Sequence, residues 1–192
     1  MKTISLSGSP RANVGKTDAK ALRLEGKVPC VLYGGKEQIH FAANEADFKT
    51  LLFTPEVHAV EINVGGVTTK AILQEVQFHP IKDNLLHADF LEVNEVKPIV
   101  IAIPVKVTGN SVGVRAGGKL AIKVRKMKVR GLLNDLPDSI ELDITNIEIG
   151  QSIKVRDIKN DKLQFLDAPN VAVVSVDATR ASRSAETEAA KK

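Results

Sequence analysis

The sequence has no tryptophan, one tyrosine and six phenylalanines among 192 residues, so a folded core has to be filled by Val, Ile and Leu. The branched members of that set favour strands. A single cysteine, Cys30, excludes an internal disulfide, and its flanks "VPCVLYGG" bring no second thiol for a metal site. Cys30 is expected as a small apolar residue packed in a strand, in a protein suited to a reducing cytoplasm. The opening "MKTISLSGSP" lacks the apolar centre of a signal peptide, and nowhere do about 18 apolar residues follow one another. Neither export nor a membrane span is expected. Long helices alternating with strands are lacking too, as is any repeat of fixed period.

What is present is ordinary in amount and uneven in distribution. Hydrophobic residues make up 43% and charged residues 26%, the balance of a chain that buries a core rather than staying disordered. The length allows one or two compact domains. Net charge is only +4, yet residues 1 to 36 hold seven Lys/Arg against two Asp/Glu, while residues 37 to 93 hold three against nine. An excess of cations confined to the amino-terminal stretch points to a polyanion contact there.

Strand signals dominate. "KTISLSG" and "EQIHFAAN" alternate, "KVPCVLYG" is an apolar run stopped by glycines, and "LLHADFLEV" is a further strand. "HAVEINV" and "VTTKAILQEVQF", joined by Gly65-Gly66, predict a hairpin. "KTDAKALRLEG" reads as a short helix, with Thr17 able to cap it, Asp18 suited to its first turn and Gly26 to its end. Asn44 is placed to cap a second helix, "EADFKTLLF", whose apolar face is Ala46, Phe48, Leu51 and Leu52. Roughly six strands and two helices in residues 1 to 93 suit a small closed or partly closed β-barrel.

After "NEVKP" the texture changes. "IVIAIPVKVTG" is strongly β, "NSVGVRAGG" reads as a Gly-rich loop, and "KLAIKVRKMKVRG" as a basic strand bulged near Arg125. "SIELDI", "QSIKVRDI" and "NVAVVSVD" are three more strands. The chain is therefore expected to be mainly β: a small amino-terminal barrel with two helices, an all-β second domain over residues 94 to 178, and a flexible tail over 179 to 192.

Gly15-Lys16-Thr17 resembles the end of a nucleotide-binding loop, which needs another glycine five positions before the first. Pro10 stands there, with no N–H to donate to phosphate. The parallel α/β context is missing as well, so nucleotide hydrolysis is rejected. The same cations suit a different phosphate. Arg11 precedes the helix, and Lys16, Lys20 and Arg23, spaced by four and three, share one of its faces, with Leu22 and Leu24 left to bind it to the barrel. Lys27 follows, and Tyr33 at the end of the next strand adds a stacking or hydroxyl group.

His79, His87 and Asp89 lie in "QEVQFHPIKDNLLHADF". No further ligand at workable spacing completes a metal site, and no G-x-S-x-G elbow supplies a nucleophile. His87 and Asp89, two apart on one strand face, are either readers of a nucleic-acid base or a surface ion pair. The stretch from Arg115 to Arg130 holds seven cations and no acid. It is either a second RNA contact or a charged edge strand guarded against aggregation.

Four motifs in order make the pattern specific: "R-x-x-x-G-K" from Arg11 to Lys16, "LR-x-x-G-K-V-P-x-V-L-Y-G-G" from Leu22 to Gly35, "VQ-x-H-P" from Val76 to Pro80 and "H-x-D-F" from His87 to Phe90. They resemble the bacterial large-subunit ribosomal protein family number twenty-five. "IPVKVTGNSVGVRAGGKL", "LPDSIELDI" and "IEIGQSIKVRDI" resemble the second domain of its long form, also called general stress protein CTC. The likeness extends over residues 1 to 178.

The resemblance implies a cytoplasmic, ribosome-bound protein with no enzymatic activity, no cofactor and no small-molecule substrate. Its amino-terminal barrel would bind 5S rRNA at an internal loop of non-Watson–Crick pairs, with the helix and nearby strand ends reading a distorted minor groove. Arg11, Lys16, Arg23, Tyr33, His87 and Asp89 match the RNA-facing positions of the family, and Gln77 and Lys82 match more weakly. Lys20 stands where the family often has Arg, which replaces a bidentate fork by a point charge. Phe78 stands where some short members carry Arg. Neighbouring ribosomal proteins are possible partners of the second domain, and the competing function is an adaptor whose second domain binds a protein while RNA contact is secondary.

Overall fold

The computed structural model describes residues 2–35, 37–94, 97–158, 160 and 162–179. The expected tail lies, from Arg180 onward, outside the described residues. Two compact units are present. The first comprises residues 1–99 with Leu132–Asp138, and the second Val100–Gly131 with the chain from Ser139 on.

The first unit is a closed barrel. Its strands are β1 (Lys2–Pro10), β2 (Lys27–Tyr33), β3 (Ile39–Asn44), β4 (His58–Val64), β5 (Val67–Phe78) and β6 (Leu85–Glu92), in spatial order β1-β3-β2-β6-β5-β4. Two neighbouring pairs, β1/β4 and β2/β6, are parallel, and the others are antiparallel. Helix α1 (Lys16–Leu24) joins β1 to β2, and a 3-10 turn (Glu45–Phe48) runs into the single turn α2 (Lys49–Leu52) after β3. The predicted β4–β5 hairpin forms at Gly65 and Gly66, whose φ angles of 60° and 88° meet the demand of a type I′ turn for two left-handed residues.

Inward alternation follows the strand period of two. Leu6, Cys30, Leu32, Phe41, Val60, Ile62, Ala71, Ala88 and Phe90 are all buried in one core. With no tryptophan to fill it, the centre is held by three phenylalanines: the ring of Phe90 lies 5.8 Å from Phe41 and 6.3 Å from Phe48. Strand β2 is buried on both faces from Val28 to Leu32, consistent with its interior place in the sheet and with α1 lying over its start.

Cys30 is the packed apolar residue expected, with no exposed surface. Its Sγ donates to the Val28 carbonyl at 3.4 Å, and burial pushes the thiol up to about 12. Iodoacetamide at about pH 8 should therefore leave the native protein unlabelled and label it fully in denaturant. Rapid labelling without denaturant would mean that β2 is far more accessible than this packing permits.

Neither expected side-chain cap forms. Helix α1 starts at Lys16 with Gly15 as its cap residue, which places Thr17 inside the first turn, and Asn44 precedes its 3-10 turn without a side-chain bond to it. The carboxy-terminal signal does operate: Gly26, at φ 73°, ends α1.

The second unit holds β7 (Ile99–Thr108), α3 (Val112–Arg115), β8 (Lys119–Ile122), β9 (Lys126–Gly131), β10 (Ile140–Asp143), β11 (Ser152–Lys154), β12 (Gln164–Phe165) and β13 (Ala172–Asp177). They form a four-stranded sheet, β10-β7-β9-β12, and a three-stranded sheet, β11-β13-β8. The second domain is thus mainly β, but several elements depart from those expected: "QSIKVRDI" is a strand only over Ser152–Lys154 before a 3-10 turn at Val155–Asp157, and β12 is unexpected. The presumed Gly-rich loop contains α3, because Ser111 caps it by accepting from the Gly113 and Val114 amides at 3.1 and 3.4 Å, while donating to the Ile147 carbonyl at 2.6 Å. The presumed bulge near Arg125 is instead a change of sheet: β8 and β9 are separate strands, and the residues between them bond to both sides. Lys123 and Val124 donate to the Val173 carbonyl, and Arg125 accepts from Val105.

Candidate nucleic-acid interface

Helix α1 is short and carries no fully buried residue, so it needs attachments beyond apolar packing. Asp18, Ala19, Leu22 and Arg23 are half-buried, whereas Lys16, Lys20 and Leu24 are exposed. Leu24 is 81% exposed, which corrects the expectation that Leu22 and Leu24 both bind the barrel. At about 100° per residue, two positions apart on a helix diverge by roughly 200° and cannot share a seat.

Two polar ties fix α1. Arg11 Nε and Nη2 donate to Asp18 Oδ2 at 3.1 and 2.5 Å, and the Arg11 side chain is only 9% exposed. The Arg11 backbone amide in turn donates to the His40 carbonyl at 2.9 Å, so the loop after β1 is anchored at both ends of this residue. Arg23 Nε donates to the Leu86 carbonyl at 3.0 Å. Its other guanidinium nitrogens have no partner among the described residues. Arg23 stands at the border between the seated face and the exposed Lys16–Lys20 stripe, which are one helical turn apart.

The Leu86 carbonyl immediately precedes His87. Along β6, Ala88 and Phe90 are buried while His87 and Asp89 face outward, as the alternation predicts. His87 Nδ1 lies 2.7 Å from Asp89 Oδ1. The two groups lie within ion-pair distance, and this enclosed oxygen accepts no hydrogen bond from the described residues. Gln77 is exposed on β5 directly opposite His87, and directly opposed side chains are neighbours. Across the other edge of β6, Val31 pairs with Asp89 and Tyr33 with Leu91, so Tyr33 emerges on the outer face one repeat beyond Asp89.

The structure therefore brings Lys16, Lys20, Arg23, Gln77, Tyr33, His87 and Asp89 to the outer surface of α1 and the β2-β6-β5 strands. Lys82 is placed elsewhere, in the turn that ends the β5–β6 hairpin. There His79 has a structural part: its Nδ1 accepts from the Ile81 and Lys82 amides, both at 3.2 Å. Phe78, beside this turn, is 44% exposed. Sequence reasoning missed Asp18 as the partner of Arg11 and the Leu86 carbonyl as the seat of Arg23. The first had a readable signal in an acid one turn into a helix that follows an arginine. The second had none, because a backbone acceptor leaves no mark in the residue code.

The phosphate-loop geometry is absent. Lys16 opens a nine-residue helix that follows a strand of a mixed closed barrel, and Gly15 is extended at φ −171°. Among the described residues no three His, Cys, Asp or Glu side chains converge as metal ligands.

The matches to known proteins agree with this layout. The model of the ribosomal L25p family matches residues 6–90, and that of the ribosomal protein TL5 C-terminal domain matches residues 98–180. The chain belongs to the ribosomal L25p family. Proteins named large ribosomal subunit protein bL25 match it along nearly its whole length. The one from Porphyromonas gingivalis is 43% identical over 187 residues, 96% of this chain and 97% of that protein. The one from Cytophaga hutchinsonii is 43% identical over 192 residues, all of both chains, and that from Bacteroides fragilis 38% over 196 residues, again all of both. The L25p family is a structural, non-enzymatic ribosomal family, and the TL5-type match marks this chain as its long, two-domain form.

Proposed function

We propose that this protein is a structural component of the large ribosomal subunit in the cytoplasm and that it binds 5S rRNA through the domain of residues 1–93. The observation that carries the reading is the Arg23–Leu86 bond. It sets a cationic helix stripe beside the outward strand face that carries His87 and Asp89. Phosphates and base edges make different demands, and the two halves of this surface answer them separately. Lys16 and Lys20 meet backbone phosphates as mobile point charges. Arg23, held by one nitrogen, offers its remaining donors from a fixed position. His87, Asp89 and Gln77 supply both donors and acceptors for the edges of unstacked or non-canonically paired bases, and Tyr33 adds a face for stacking.

Arg11 acts here as a positioning residue, since its guanidinium is engaged by Asp18 and largely enclosed. Lys82 supplies at most a peripheral phosphate contact from the hairpin turn. The family membership and the names of the relatives support the ribosomal assignment, and the residue geometry supports RNA as the ligand of this face.

The test is binding of the full chain to 5S rRNA and to an unrelated RNA duplex across a range of salt concentrations. A clear preference for 5S rRNA is expected. Lys16→Ala should reduce the slope of log affinity against log salt by about one unit while leaving the preference intact. Equal affinity for the two RNAs would overturn the proposal.

A further inference from the structure

The basic run of the second unit divides between two strands: β8, which carries Lys119, is an edge strand of its sheet, whereas β9 is not. An edge strand uses charge to discourage pairing with another chain, but β9 lies between β7 and β12, the latter pairing with it at Val129 and Arg130. Its residues alternate strictly: Met127, Val129 and Gly131 are buried, while Lys126, Lys128 and Arg130 are exposed. Three cations therefore stand in a row on one face of an interior strand, about 7 Å apart. That interval is of the order separating successive phosphates along a nucleic-acid strand.

Lys126, Lys128 and Arg130 form no ion pair among the described residues. Gln164, an uncharged residue, stands opposite Arg130 on β12. The carboxylate drawn to the strand, Asp167, accepts from the Lys128 backbone amide at 2.9 Å. On the far side of β7, Glu141 of β10 pairs in register with Lys106, two strands away from the row. Lys123 and Arg125, exposed in the crossover just before β9, extend the positive surface. Like charges held side by side repel, so such a row on a rigid sheet is complementary to an extended polyanion.

We propose that the exposed face of β9 is a second RNA-binding surface, which grips the phosphate backbone without reading sequence. The inference rests on the ribosomal reading for the identity of the polyanion as RNA, and it is independent of the 5S-specific site on the barrel. Its chemistry is also different. The barrel face combines cations with base-edge donors and acceptors, whereas β9 offers cations alone.

The test uses the full chain carrying Lys126→Gln, Lys128→Gln and Arg130→Gln together, changes that leave the buried face untouched. Binding to an unrelated RNA duplex and to 5S rRNA is measured across salt. The triple variant should bind the duplex roughly tenfold or more weakly at low salt, with a salt slope smaller by about two to three units. A charge-preserving variant, Lys126→Arg with Lys128→Arg, should bind the duplex as the parent does, which separates loss of charge from loss of fold. Unchanged duplex affinity and slope in the triple variant would overturn the proposal, and so would equal weakening in the charge-preserving variant. Should the parent chain fail to prefer 5S rRNA, the barrel reading falls while the duplex comparison still decides the β9 surface. If the row instead serves an acidic protein, the triple variant keeps its full affinity for duplex RNA.

Discussion

Phe90→Ala is expected to lower the stability of the barrel by about 3–5 kcal/mol, the range for removing a large aromatic ring from a closed core. Phe90 has no exposed surface and touches the rings of Phe41 on β3 and Phe48 in the 3-10 turn, so its loss removes contacts from three elements at once. Backbone neighbours cannot collapse into the space easily, because β6 is fixed by β2 on one side and β5 on the other. Since a domain's whole net stability is about 5–15 kcal/mol, the variant should sit close to unfolding at ordinary temperature. The composition provides the probe. Tyr33 is the one tyrosine in a chain without tryptophan, so intrinsic fluorescence reports on the barrel and not on the second unit. A denaturant midpoint within the error of the parent would contradict the packing described for this core.

Arg23→Ala is expected to weaken 5S rRNA binding by roughly ten- to a hundredfold, the equivalent of a charge-assisted hydrogen bond of about 1.5–3 kcal/mol. Two effects combine. The substitution removes a cation from the proposed interface, and it cuts the bond that holds α1 to the Leu86 carbonyl. Lys16→Ala removes a cation only, so comparing the two separates charge from position. If position matters, Arg23→Ala loses more affinity than Lys16→Ala for a similar change of salt slope. Arg23→Lys should fall between parent and alanine, because an ammonium keeps the charge but cannot hold the carbonyl and offer a planar fork together. Parent-like affinity in Arg23→Ala would exclude this helix from the interface.

Much of the barrel could be read from the residues, for reasons visible in particular segments. The β4–β5 hairpin was legible because two consecutive glycines have few uses other than a turn with two left-handed residues. The outward pairing of His87 with Asp89 followed from the strand period. Less was legible where long-range partners decide the outcome. The sheet change at Lys123–Arg125 looked like a slipped alternation, since a strand that leaves one sheet for another interrupts its pattern just as a bulge does. Ser111 was hidden among glycines, and its capping role depends on the Ile147 carbonyl far along the chain. The chemistry of the candidate interface was legible as residue types. Its division into seated and exposed groups was not, because Arg11 and Arg23 look alike in sequence while one faces a carboxylate and the other a backbone oxygen.

The parallel pairings of the barrel also set an order of events as the chain is made. Lys2 of β1 pairs with His58 of β4, and β2 waits for β6, with Cys30 opposite Ala88. Contacts so distant along the chain are slow to form and leave strand edges open until the last partner arrives. The seat of Arg23 is part of that last partner. A nascent chain that has not yet extended past Leu86 can already hold α1 through the Arg11–Asp18 pair and against β2, but Arg23 gains its carbonyl seat only when the final strand closes the barrel.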